Sequence, residues 1–184
     1  ASAIIELEVS DELQIERARL DVRSARNHFR MALPRIDARL RVNGPHLVAG
    51  VSAWIEREAQ PVSAVLDFDR EHRNGLLWAG GKSMVLEHWA PLLQLVGIHP
   101  EGGRGELQLW TRLRDQRIDQ VTLRADIADA RLRSTSPMRA ADGRLLSTQV
   151  GFDHLRADAR MDLTDTGWRL SAPRLNLQRG EEVA

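Results

Sequence analysis

Apolar positions in this chain recur mostly at every second residue, the spacing that sends side chains alternately to the two faces of a β-strand. The pattern is longest in the middle. Leu107, Leu109, Thr111 and Leu113 alternate up to Asp115-Gln116-Arg117, which reads as a turn, and Val121, Leu123, Ala125 and Ile127 begin the return strand. Ahead of this hairpin, Leu13 and Ile15 have one phase and Ala18, Leu20 and Val22 the other, which predicts a bulge or twist near Glu16-Arg17. Phe29, Met31 and Leu33 alternate up to Pro34, and Ile36, Ala38, Leu40 and Val42 continue in the opposite phase. Proline cannot donate to a ladder, so Pro34 belongs at a break or an edge. Asn43-Gly44-Pro45 is a turn. Val51, Ala53 and Ile55 follow, then Val62, Ala64, Leu66 and Phe68 beyond a break at Gln60-Pro61, and the charged run from Asp67 to Arg73 ends that strand. A further strand runs from Gly75 to Val85. Residues 133–148 are polar and turn-rich and predict a surface loop. Leu155, Ala157, Ala159, Met161 and Leu163 then alternate up to a turn at Thr164-Asp165-Thr166-Gly167, and Trp168, Leu170 and Ala172 start a last strand that Pro173 interrupts before Leu175 and Leu177.

One stretch breaks the rhythm. Trp89, Leu92, Leu93 and Val96 recur at i, i+3, i+4 and i+7, which predicts a short helix over about 88–96 with those four on one face. Pro91 fits in its first turn, Gly97 can take the left-handed position after its last, and Pro100 stops it. Gly102, Gly103 and Gly105 then read as a turn that releases the chain into the long hairpin. The expectation is an all-β, mainly antiparallel fold with one short helix, its strands about ten residues long and forming an extended, twisted sheet.

Many positions on the apolar side of the alternation are small: Ala38, Ala53, Ala64, Ala125, Ala157 and Ala159. With 5 Trp, 3 Phe and no Tyr, the chain has few large rings to fill space. Alternation alone normally means one buried face and favours a filled two-sheet sandwich; the small side chains leave room for an open apolar groove instead.

A length of 184 residues suits one β-rich domain, or one segment of a larger protein, with a real core. Ala1 opens directly on Ile4, Ile5, Leu7 and Val9, as a piece of a longer chain would. Lys plus Arg and Asp plus Glu are 26 each, so no net field draws the chain to nucleic acid or to an anionic membrane. Lys82 is the only lysine. The absence of cysteine removes disulfides, thiol chemistry and Cys-ligated metals. No apolar run approaches the roughly 20 residues that cross a bilayer as a helix.

Motifs with chemistry fail on their spacing. Gly80-Gly81-Lys82-Ser83 resembles the end of a phosphate-binding loop, but the required earlier glycine position holds Leu76. Gly50-Val51-Ser52-Ala53-Trp54 resembles a nucleophile elbow until Trp54, where the sharp turn needs a small residue. The six histidines, His28, His46, His72, His88, His99 and His154, have no helical i, i+4 pair. The acidic pairs Asp67/Asp69, Asp126/Asp129 and Asp162/Asp165 read as solvated, without the burial that separates the pKa values of an acid and a base. The expectation is a protein without catalytic residues, cofactor or metal.

The order of Trp78-Ala79-Gly80-Gly81, Leu86 with Trp89-Ala90-Pro91-Leu92-Leu93, Gly105-Glu106-Leu107-Gln108-Leu109-Trp110, Val121-Thr122-Leu123 and Gly167-Trp168-Arg169-Leu170 resembles the AsmA-like YhdP family of Gram-negative bacteria. The likeness runs from about Ile4 to Leu177 and is nearest to the N-terminal half of those proteins. It implies a segment of a periplasmic protein held in the inner membrane by an N-terminal helix, with a long apolar β-groove that carries phospholipid toward the outer membrane without chemistry. No part of this sequence corresponds to the anchor helix. On that reading the lipid-facing residues are Leu107, Leu109, Val121, Leu123, Ala125, Ile127, Leu155, Ala157, Ala159, Met161, Trp168 and Leu170. Arg112, Arg114, Arg124, Arg156, Arg160 and Arg169 then face water, and the helix stripe of Trp89, Leu92, Leu93 and Val96 closes one end or side. The implied partners are acyl chains, neighbouring segments of the same full-length chain and other envelope proteins. The competing expectation is a non-catalytic β-scaffold or partner-binding module with a filled core.

Overall fold

The structure, a computed structural model, describes residues 12–24, 29–55, 60–90, 98–134, 142–143, 149–180 and 182–183. Among them the strands are β1 Glu12–Ser24, β2 Phe29–Asn43, β3 His46–Trp54, β4 Val62–Asp69, β5 Asn74–Val85, β6 Ile98–Arg114, β7 Arg117–Ser134, β8 Gln149–Thr164, β9 Gly167–Arg179 and β10 Glu182–Val183. Each pairs antiparallel with its sequence neighbours, and all lie in one sheet whose spatial order is the chain order. The fold is therefore all-β and antiparallel, an open curved sheet with one short helical turn, as the alternation predicts. The filled sandwich does not form: among the described residues no second sheet lies over the first. The accessible surface of 13285 Å² agrees, since a compact protein of this mass exposes only about 8900 Å².

Directly opposed residues share a face, so the register shows how far the apolar side extends. One row crosses the sheet through Leu13, Leu40, Ala49, Leu66, Leu77, Thr111, Val121, Met161 and Leu170. Beside it run Ile15, Ala38, Val51, Ala64, Ala79, Leu109, Leu123 and Ala159. At about 4.8 Å per strand, the eight steps of the first row make a strip about 38 Å long. The opposite face carries Arg39, Gly50, Val65, Trp78, Trp110, Thr122 and Arg160 in the same way.

The sheet bends where bulges insert extra residues, toward the strand ends remote from the hairpin turns. Arg17 (φ 51°), Ser83 (φ 54°), Gly103 (φ 133°) and Asp129 (φ 53°) mark these places in β1, β5, β6 and β7. The shift predicted near Glu16-Arg17 lies there, between Ile15 and Ala18, with the Arg17 amide donating to Asp37 Oδ1 at 2.7 Å. At the opposite ends the turns are tied sideways. The Arg70 amide donates to Pro45 O, and the Gln116 amide to Arg73 O.

Several boundaries differ from the pattern. The helix is a 3₁₀ turn, Leu86–Trp89, starting before residue 88; only Ala90 continues it among the described residues, and Leu92, Leu93 and Val96 lie outside them. Gly102, Gly103 and Gly105 are not a turn but part of β6, whose backbone runs closer to its neighbours than side chains would allow. Pro100 does not end a helix, for it lies inside that strand. The loop expected from 133 begins later, since β7 reaches Ser134; Asp142 and Gly143 are exposed, and most of the rest lies outside the described residues. Pro173 does not interrupt β9, because it falls where the β8 register shifts, on a strand whose outer side meets β10 only at Arg179 and Gln178.

A candidate apolar groove

The apolar face has two unlike halves. Over β6, β7 and β8, Leu86 of the 3₁₀ turn packs on Ala125, Ile127 and Ala130, with Leu107, Leu132, Phe152, Leu155 and Ala157 around them. This needs Gly103, since a Cβ there would lie 3.0 Å from Leu86 Cδ1 and 3.1 Å from Ile127 Cγ2. Ala125 and Ile127 are consequently only 6% and 3% exposed. Over β1 to β5 the buried apolar side chains among the described residues are Val42 near the turns and Ile55 and Met84 toward the other end, at 2%, 5% and 5% exposed, and the rows between are open. There the face forms an apolar hollow of about 270 Å³, lined chiefly by Leu13, Ile15, Ala38, Leu40, Ala49, Val51, Ala64, Leu66 and Leu77.

All twelve residues expected to face lipid lie on this one side of the sheet. The structure divides them. Ala125 and Ile127 are buried in the cluster under Leu86, and Leu107, Leu155 and Ala157 are half-buried against it. Leu109, Val121, Leu123, Ala159 and Met161 are half-buried. Trp168 and Leu170 on β9 are bare, at 69% and 58% exposed. Trp89, the last residue of the turn, is half-buried. The hollow on β1 to β5 contains none of the twelve. Its signal in the sequence was the repeated small residue, Ala38 and Ala64, but placing them in one row requires the register of two successive strand pairs.

The other face is polar and largely matched within itself. Arg124 Nε lies 3.0 Å from Asp158 Oδ1, and Arg174 meets the second oxygen of that carboxylate at 3.4 Å. Arg112 bonds Asp119, Arg160 bonds Asp162, and Arg156 shares Asp126 with His154. The His154 ring first, and then Arg156, hold the Asp126 carboxyl below its ordinary pKa against the opposing cost of desolvation. A larger hollow, about 590 Å³, opens on this side around Gln14, Glu16, Arg35, Asp37, Ser52 and Ser63. Its groups are also paired: Arg35 bonds Asp37 at 2.7 Å and stacks 4.1 Å from the Trp54 ring, and the Ser52 and Ser63 hydroxyls bond each other at 2.9 Å. No group of three or more His, Asp or Glu able to hold a metal occurs among the described residues.

Such a surface can sequester apolar matter. The apolar strip takes hydrocarbon out of water at about 0.8 kcal/mol per CH₂, without demanding a fixed position along it. No helix among the described residues is long and apolar enough to cross a membrane. Comparisons with protein-family models, with curated proteins and with solved structures found no match for this chain.

Proposed function

We propose that this chain is a segment of an AsmA-like, YhdP-type bridge that carries phospholipid between the inner and outer membranes of a Gram-negative envelope, acyl chains against the sheet and no chemistry on the way. The reading rests on one observation: an apolar strip continuous from β1 to β9 with no second layer over its β1 to β5 half among the described residues. A lipid tail on such a strip can slide from row to row without returning to water, so the apolar surface it covers ahead offsets the surface it uncovers behind. The residues that bear the tail are then Ala38, Ala49, Val51, Ala64, Leu66 and Leu77, followed by Leu109, Val121, Leu123, Ala159 and Met161. The segment works in the periplasm, joined through the rest of its chain to an inner-membrane helix.

A second reading, a scaffold module that holds an envelope protein, draws on the polar face. Val48, Val65, Leu76 and Trp110 are all exposed there, Val65 and Trp110 linked by register through Trp78 and Val48 and Leu76 through Asp67. An apolar island with aromatic and arginine neighbours has the make-up of a protein-binding surface. Native mass spectrometry of the fragment purified from a bacterial host separates the two. Co-purified phospholipid, or uptake of a fluorescent phospholipid by the stripped protein, supports the bridge. A fragment that is lipid-free and takes none up sinks it in favour of the scaffold.

A further inference from the structure

β1 ends the sheet: among the described residues no strand lies on its outer side, so a row of its backbone N–H and C=O groups faces outward. Charges and bulges commonly protect such an edge, and β1 has both. Here they are arranged symmetrically. The bulge at Arg17 swaps the parity of the strand, so the apolar face holds Leu13 and Ile15 before it and Ala18 and Leu20 after it. On the polar face Gln14 and Glu16 precede the bulge, and Arg19 and Asp21 follow it. These pair along the strand, Gln14 Nε2 donating to Glu16 Oε1 at 2.6 Å and Arg19 lying 3.6 Å from Asp21.

We propose that β1 pairs antiparallel with β1 of a second copy of this chain, about a two-fold axis between Arg17 and Ala18. In that register Ile15 of each copy lies opposite Leu20 of the other, apolar side chains that are 39% and 41% exposed in the single chain. On the other face Glu16 lies opposite Arg19 and Gln14 opposite Asp21, and the symmetry repeats each pair. The same number of residues separates Ile15 from Leu20 on both strands, so the two bulges meet at the axis and leave no residue over. Neighbouring registers fail. Sliding one strand by a single residue sets the apolar positions of one copy against the polar positions of the other. Sliding it by two, in either direction, sets Glu12 or Glu16 against Asp21, carboxylate against carboxylate. The charges and the bulge that keep other strands away therefore admit one partner in one register. β9, the last long strand, lacks this property, since its only charges are Arg169, Arg174 and Arg179. In the pair, the two apolar faces lie on the same side and form one surface across the axis. The proposal draws on β1 alone and does not need the lipid-carrying reading.

Sedimentation equilibrium of the full chain at high micromolar concentration tests it. Wild type is expected to be dimeric. Glu16→Arg and Arg19→Glu each bring like charges together at both symmetric positions, and each should weaken the dimer about tenfold or more. The double variant E16R/R19E exchanges the two charges, restores the attraction and should dimerise like wild type. A mixture of the two single variants should form the mixed dimer, since each supplies the charge that the other lacks. All four side chains at these positions lie on the surface, so urea midpoints of the variants, measured at a concentration where the chain is monomeric, should agree within about 0.5 kcal/mol. A monomeric wild type overturns the proposal. So does a dimer that neither single variant weakens, or one that the double variant fails to restore, for its interface then lies elsewhere.

Discussion

A Cβ placed on Gly105 of β6 would sit 2.0 Å from the carbonyl oxygen of Asp126 on β7. Nothing flexible stands in the way; the obstacle is backbone, and Ile127 Cα is only 2.8 Å off. The close approach falls where β6 passes its bulge at Gly103, beside the cluster under Leu86.

Gly105→Ala is therefore expected to destabilise the chain by about 3 kcal/mol, at the upper end of overpacking costs, because the ladder itself must separate. Gly50→Ala is the contrast: a Cβ there meets nothing within 4 Å, and its effect should stay within about 0.5 kcal/mol. Urea melts of both variants decide it. Equal midpoints would mean that β6 and β7 lie farther apart than described.

These glycines also show what the sequence hid. Alternation is written in side chains, so strands such as β7 and β8, with Val121, Leu123, Ala125 and Leu155, Ala157, Ala159, are legible residue by residue. Gly102, Gly103 and Gly105 carry no such mark, and their stretch resembles a turn although it is bulged strand. The phase changes at Glu16-Arg17 and Pro34 were visible because a bulge swaps the apolar parity of a strand. Whether the sheet stays single was not visible, since each strand has the same period whether or not another layer covers it. For the same reason the twelve residues expected to face lipid include Ala125 and Ile127, which are buried under Leu86, and omit Ala38, Ala49 and Ala64.

Leu86→Ala should cost about 2–4 kcal/mol. Leu86 is buried at 6% exposure and joins Ala125, Ile127 and Ala130 in one of the few closed clusters of an otherwise open sheet. The rigid seat formed by Gly103 leaves little room for collapse into the space left behind. Hydrogen exchange should show the loss concentrated in β6 and β7. A uniform change across all strands, or none, would mean that the turn merely rests on the sheet.

The turn at Asp69 and His72 has its own pH signature. The hydrogen bond to the Asp69 carboxylate, and next its charge, raise the His72 pKa above its ordinary value. The backbone amide of His72, then its ring, lower that of Asp69. Stability from the histidine is fully present below its unfolded pKa and lost as pH rises through the raised folded one. Stability from the carboxylate is present above its unfolded pKa and lost as pH falls through the depressed folded one. The pair is intact between those two limits. A proton NMR titration should find His72 titrating above the range of an unpaired histidine, and Asp69→Asn should return it there. An unaltered His72 midpoint in that variant would show that the 2.7 Å contact is not formed in solution.

Ala64 is the most direct probe of the apolar face, because it lines the hollow between Val51 and Ala79 and points into open space, not into a packed interior. Ala64→Trp should leave the fold intact and displace at least two methylenes of a bound tail, at about 0.8 kcal/mol each, which lowers retention of a fluorescent phospholipid about tenfold. Val65→Trp puts the same ring one residue on, on the opposite face, where Val65 is already 42% exposed, and retention should not change. The two variants share a strand, a size and a hydrophobicity and differ only in the side they face. If both lose lipid, the effect comes from the strand and not from the strip; if only Val65→Trp loses it, the cargo rides on the polar face and the assignment of sides is wrong.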